Sequence, residues 1–140
     1  MSFLLDTNVV SEWVRPRPDP GVITWLAEVD EDRVFLSVVT LAELRYGIER
    51  MPAGQRRKRL DVWLREELTL RFEGRILSVD PPVAESWGHL ILRSRIAGRP
   101  MGIVDGFLAA TAQVHRLTIV TRNVSDFSTL GYSVLNPWIA

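Results

Sequence analysis

The chain has 140 residues, 46% of them hydrophobic and five of them tryptophan, and its 17 basic residues are balanced by 17 acidic ones. That length and apolar content support a single domain over residues 1–140 with its own core, and they exclude a disordered chain. The absence of cysteine excludes disulfides and thiolate metal sites, two histidines are too few for a His-rich zinc site, and zero net charge excludes strong indiscriminate nucleic-acid binding.

From the N-terminus, residues 2–6 are an apolar run that predicts a short buried strand, and residues 8–14 predict a helix opening after Asp6-Thr7-Asn8. Arg15-Pro16-Arg17-Pro18-Asp19-Pro20-Gly21 breaks regular structure. Val22, Trp25, Leu26 and Val29 recur at helical spacing, Glu28 to Arg33 is turn-like, and Val34 to Ser37 reads as a second strand. Leu41, Leu44, Ile48 and Met51 stripe a helix that starts near Thr40 and stops at Met51-Pro52-Ala53-Gly54. Leu60, Trp63, Leu64 and Leu68 mark the next helix. Arg75 to Val79 predicts a third strand, punctuated by Asp80-Pro81-Pro82. Val83, Trp87, Leu90, Ile91 and Ile96 stripe a long helix ending at Gly98, and Ile103, Phe107, Ala110 and Val114 stripe another. Leu117 to Val120 predicts a fourth strand and Tyr132 to Leu135 a fifth.

Strands alternating with helices predict a three-layer α/β/α sandwich around a mainly parallel sheet of four or five strands. Right-handed crossovers put every strand's carboxyl end on one edge, where ligands of open α/β sheets collect. Asp6 ends the first strand there, and Thr121, Arg122, Asn123 and Asp126 follow the fourth. Glu43 follows the second strand, in the first turn of its helix, and Asp105 opens the helix leading into the fourth.

Each of these acids has a plainer reading. Asp6 can cap the first helix. Thr40-Leu41-Ala42-Glu43 fits a capping box, with Glu43 reaching back to the cap. Asp105 can be the N-cap before Phe107, and Asp126 can be an ordinary loop acid. Convergence of all four on one edge calls for more. Carboxylates packed together repel, and without a cation at least one stays protonated. Magnesium or manganese, bound by oxygen, relieves that repulsion and leaves positions for substrate oxygens. Hydrolysis of a phosphodiester is the natural reaction of such a site.

Four motifs in order carry a family resemblance over essentially the whole chain. Leu4-Leu5-Asp6-Thr7-Asn8-Val9-Val10-Ser11-Glu12 resembles the opening of a PIN domain of the VapC/FitB type. Leu41-Ala42-Glu43-Leu44-Arg45-Tyr46-Gly47 resembles that family's second motif, and Val104-Asp105-Gly106-Phe107-Leu108-Ala109-Ala110-Thr111-Ala112 its third. Val120-Thr121-Arg122-Asn123 and Leu135-Asn136-Pro137-Trp138 complete the pattern. The resemblance implies a magnesium-dependent endoribonuclease, dimeric, and held inactive as the toxin of a toxin–antitoxin pair by a small DNA-binding antitoxin. It implies Asp6 and Asp105 as direct metal ligands, with Glu43 acting directly or through water. Many relatives carry Asp where this chain has Asn123; here Asp126 stands three residues later, and either residue can complete the site. Thr7, Asn8 and Thr121 are candidates to orient carboxylates or water.

Lys58 is the sole lysine, so arginine supplies the remaining positive charge, and Arg45 and Arg50 on the Glu43 helix are the candidate RNA phosphate contacts. No apolar run is long enough to span a bilayer, and Asp6 interrupts the N-terminal run too early for a signal peptide, so a cytoplasmic protein is expected. The rival expectation is a catalytically weak module of the same fold, whose acidic pocket mainly binds an antitoxin.

Overall fold

The computed structural model describes residues 1–128 and 131–138. Five parallel strands form its sheet: β1 (Phe3–Leu5), β2 (Val34–Ser37), β3 (Ile76–Leu77), β4 (Thr118–Val120) and β5 (Val134–Leu135), in the spatial order β3-β2-β1-β4-β5. β1 pairs with β2 on one side (Phe3 opposite Val34) and with β4 on the other (Phe3 opposite Thr118). Successive side chains of a strand face opposite ways, and both faces are apolar here. Leu5, Val34, Leu36 and Val120 enter one core, while Leu4 and Ile119 enter the other, together with Leu108 and Phe127. Fully burying each such side chain contributes about 1.5–3 kcal/mol, which explains how strands of two to four residues hold their register.

The first core is roofed by α1 (Thr7–Glu12), α2 (Pro20–Glu28), α3 (Val38–Glu49) and α4 (Gln55–Val62). The last of these continues through a π-helical stretch (Trp63–Leu68) into the single turn α5 (Thr69–Arg71). A 3₁₀ turn (Glu31–Arg33) precedes β2. The second core lies under α6 (Pro81–Ile96), α7 (Ile103–His115) and α8 (Val124–Ser128). This is the expected three-layer sandwich, with a sheet that is wholly parallel. No helix among the described residues is long and apolar enough to cross a membrane.

Several boundaries differ from the sequence expectation. α3 starts at Val38, not near Thr40, because Ser37 ends β2 and its Oγ accepts the Val39 N–H at 3.0 Å as the cap. The β-branched pair Val38-Val39 prefers strand locally, and the cap overrides it. Glu43 therefore lies in the second turn, and the capping box with Thr40 does not form. Thr40 is instead buried inside the helix, its hydroxyl without a partner among the described residues. α7 starts at Ile103 with Gly102 as its N-cap, so Asp105 sits inside the first turn and caps nothing. The third strand shrinks to Ile76–Leu77. Before it, the Arg75 side chain donates to the carbonyls of Glu31, Val34 and Arg71, each at 2.6 Å, and closes off that end of the strand.

The order of strands sets the position of the site. From β1 the chain winds outward through β2 to β3, then crosses back to β4 and β5 on the other side. The crevice between the carboxyl ends of β1 and β4 is thus the topological switch point.

Candidate active site

Asp6 occupies that crevice. Its backbone N–H donates to the Val120 carbonyl at 2.9 Å, which continues the β1–β4 pairing one step past the strand. The residue is only 6% exposed. Its Oδ1 accepts the Thr7 N–H at 2.7 Å, so Asp6 is the N-cap of α1. Its Oδ2 accepts the Thr121 hydroxyl at 2.8 Å, with Asn8 Nδ2 more distant at 3.5 Å. Capping and site formation are therefore two uses of one carboxylate. Burial raises its proton affinity, the Thr121 and Thr7 hydrogen bonds oppose that, and the charges of Glu43 and Asp126 raise it further.

The other acids surround it. Glu43 accepts a hydrogen bond from the Thr7 hydroxyl, which fastens α3 to the start of α1 at the edge of the sheet. Asp105 is half-buried, and its pKa is pushed up to about 6, first by burial and then by the charges of Asp6, Asp126 and Glu43. Asp126 is exposed in the first turn of α8. Asp105 thus lies within the fields of the other three acids, and Asp6 within those of Glu43 and Asp126. Among the described residues no three His, Cys, Asp or Glu side chains are grouped closely enough to hold one metal ion, so these acids reach a shared ion only if their side chains move. Asp6 is fastened at both oxygens, whereas the Asp105 carboxylate makes no hydrogen bond among the described residues and Glu43 is held only by a hydroxyl. The donor chemistry fits a hard divalent cation: carboxylates that raise one another's proton affinity, with no sulfur and no histidine among them.

The supporting residues fall into place around Thr121, which is wholly buried. Its hydroxyl donates to Asp6 and receives the Asn123 N–H at 3.0 Å and Asn8 Nδ2 at 3.4 Å. The Asn123 main chain thus braces the site, while its side chain is exposed. Arg45 and Arg50 are engaged elsewhere. Arg45 pairs with Asp61 at 2.8 Å and Glu49 at 3.3 Å, and the Arg50 guanidinium stacks 5.0 Å from the Tyr46 ring centre.

Two cavities of about 230 Å³ flank the acids. One, between α1, α3 and α4, is lined by Thr7, Glu43, Leu44 and Trp63. The other is lined by Arg99, Gly102, Asp105, Ser125 and Asp126. Sequence reasoning missed Arg99 and Ser125, and also a second buried acid among the described residues, Glu12. Glu12 accepts the Asp19 N–H at 2.8 Å and pairs with Arg15 at 2.9 Å, a structural tie between α1 and the start of α2. Its signal was the polar residue within Val9-Val10-Ser11-Glu12-Trp13, where helical spacing turns Glu12 inward.

Comparison with known proteins gives consistent matches. Residues 3–130 match the PIN domain family. The chain is 37% identical over 136 residues to the VapC ribonuclease Y4jK of Sinorhizobium fredii, covering 97% of each chain. It is 38% identical over 136 residues to the toxin FitB of Neisseria gonorrhoeae, covering 97% of this chain and 98% of that one. The crystal structure of FitAcB from Neisseria gonorrhoeae superposes with a TM-score of 0.93 at 38% identity, covering 99% of both chains.

Proposed function

The chain belongs to the PIN-domain family, and on that footing we propose that it is a metal-dependent endoribonuclease serving as the toxin of a toxin–antitoxin pair. The observation that carries this reading is the meeting of acids at the switch point, where burial first, and then the charges of Asp6, Asp126 and Glu43, push Asp105 up to about 6. A pocket of that charge is stable at neutral pH with a cation in it or with protons on it. Relatives of matching length are named for ribonuclease and toxin activity.

Asp6, Glu43 and Asp105 would hold the ion, with Asp126 completing the charge and Asn123 offering a neutral oxygen. Oxygen-only donors select magnesium, with manganese as the substitute. When bound there, such a cation supplies Lewis-acid charge to a phosphodiester and to the water that attacks it. The chain's own residues do the rest. Thr121 Oγ1 and the Thr7 N–H fix the two Asp6 oxygens, so that carboxylate needs no reorganisation when substrate arrives. The Thr7 hydroxyl steers Glu43 toward the same edge. The open side of the site, between Asp105 and Asp126, is where an RNA strand enters.

A cognate antitoxin binds the enzyme and holds it inactive; the fold is similar to that of a solved member of the VapBC family of toxin-antitoxin systems. The enzyme is a homodimer, acts in the cytoplasm and is a single domain. The test is digestion of RNA by purified protein with magnesium, with chelator, and with Asp6→Asn or Asp105→Asn. Cleavage that needs magnesium and disappears in both folded variants supports the reading. Full activity in either variant overturns it. Antitoxin binding without cleavage of any RNA in a broad panel would leave the acidic edge as a docking pocket only.

A further inference from the structure

Four carboxylates at one edge repel the polyanion that the proposed reaction brings to them, so a cation of this chain has to meet the RNA backbone. The arginines nearest Glu43 in sequence are committed: Arg45 to Asp61 and Glu49, Arg50 to the face of Tyr46. Arg122 lies with its guanidinium 5.7 Å from the Trp138 ring centre. Arg99 differs from all three. It lines the same cavity as Asp105 and Asp126, and among the described residues it makes no ion pair.

The fold fixes where Arg99 stands. α6 ends in a Schellman motif: Gly98, at φ 74, donates its N–H to the Arg95 carbonyl at 3.1 Å, and Arg99 donates its N–H to the Ser94 carbonyl at 3.0 Å. The left-handed conformation at Gly98 is one that a side chain resists. Ser94, wholly buried, then uses its hydroxyl to accept the Met101 N–H at 3.1 Å. The backbone is thus tied on both sides of Arg99, and Pro100 restricts the residue between the ties. A rigid main chain presents a long, exposed guanidinium at the rim of the acidic cavity, the arrangement that costs a phosphate contact least.

We propose that Arg99 is the residue that grips an RNA phosphate at the mouth of the acidic site and so sets the register in which the strand crosses Asp105 and Asp126. The proposal rests on the ribonuclease reading and moves the phosphate contact from the α3 arginines to the α6–α7 link. Arg99 acts on the strand's position, so its loss weakens binding more than chemistry.

The test uses the full chain, a fluorescein-labelled RNA stem–loop, and an Asp6→Asn background in which binding is read by anisotropy without cleavage. Arg99→Ala weakens binding roughly 10-fold and makes the log–log salt dependence shallower by about 0.7, the share of one single-strand phosphate. Arg99→Lys restores the salt slope and only part of the affinity, because it keeps the charge and loses the fork. Arg116→Ala, at the opposite edge of the sheet after α7, changes neither. With Asp6 intact, Arg99→Ala raises KM more than it lowers kcat. Equal affinity and equal salt slope in Arg99→Ala and its parent would overturn the proposal and leave the ribonuclease reading standing. A parent that neither binds nor cleaves RNA would overturn both.

Discussion

The Thr121 hydroxyl donates to Asp6 Oδ2 at 2.8 Å across 115 residues of sequence, and among the described residues it is the shortest side-chain hydrogen bond that joins the ends of β1 and β4 inside the site. Removing it frees one oxygen of the central carboxylate and raises its proton affinity further, because this bond is the largest influence opposing burial. Thr121→Val keeps the shape and deletes the donor. Apparent magnesium affinity, read from the midpoint of activity against metal concentration, should weaken by about 10- to 100-fold, the usual loss when a ligand's supporting partner is removed. An unchanged midpoint would mean that Asp6 needs no such support.

Asp105 gives the pH dependence. Its folded-state pKa of about 6 stands above the ordinary 3.8, so the folded protein holds this proton over a range where the unfolded chain has released it. The contribution to stability is therefore full below about pH 4 and is lost as pH rises through about 6. In chelator, Asp105→Asn should melt at a higher temperature than the parent near pH 8, and the gain should vanish near pH 4. Magnesium affinity should run the other way in the parent, weakening below about pH 6 as the proton competes with the ion. Calorimetric melts and metal titrations at the two ends of this range check both signs.

Gly106 sits where α6 crosses α7. A Cβ built there would lie 2.7 Å from Ile91 Cδ1 and 2.8 Å from Trp87 Nε1. Trp87 is itself placed by a hydrogen bond to the Ile103 carbonyl at 3.2 Å and by stacking on Phe107 at 5.1 Å. Gly106→Ala gains about 1 kcal/mol of helix propensity and loses about 1–3 kcal/mol to overpacking. Urea denaturation should show a net loss. Activity should fall further than stability, since the next residue, Asp105, moves with the helix.

Glu12 separates structural from functional acidity. It is as buried as Asp6 and lies in the neighbouring helix, yet its partners are the Asp19 backbone N–H and the Arg15 guanidinium, not other carboxylates. Glu12→Ala leaves the half-buried Asp19 N–H and the Arg15 guanidinium without this partner and should cost about 1–3 kcal/mol of stability. Cleavage per folded molecule should stay at the parent level. A loss of kcat with an unchanged melting temperature would place Glu12 in the reaction after all.

The strand pattern and the edge position of Asp6 are legible in the sequence because short apolar runs alternating with helical stripes have few other solutions. Asp6, Glu43, Asp105 and Asp126 do share one region, as their placement along the chain predicts. Thr40 shows where local pattern misleads: it fits a capping box with Glu43, but Ser37 ends the strand three residues sooner and takes the cap. Tertiary pairing of β2 decides that boundary, and no window of sequence contains it. The commitment of Arg45 is hidden for a similar reason, since its partner Asp61 lies 16 residues away on another helix. Arg99 is hidden because a loop arginine has no periodicity, and only the Ser94 ties reveal its fixed place.

The central strand of the sheet is the first to be synthesised, and its neighbour on the active side is nearly the last. Until residues 118–121 leave the ribosome, Asp6 has no β4 to lie beside and no hydroxyl to hold its second oxygen. A nascent chain therefore carries its first acid harmlessly until β4 has been made. A message broken or stopped before that point yields a fragment without a cutting edge, and the polypeptide becomes dangerous to RNA only once residues 118–121 have been added.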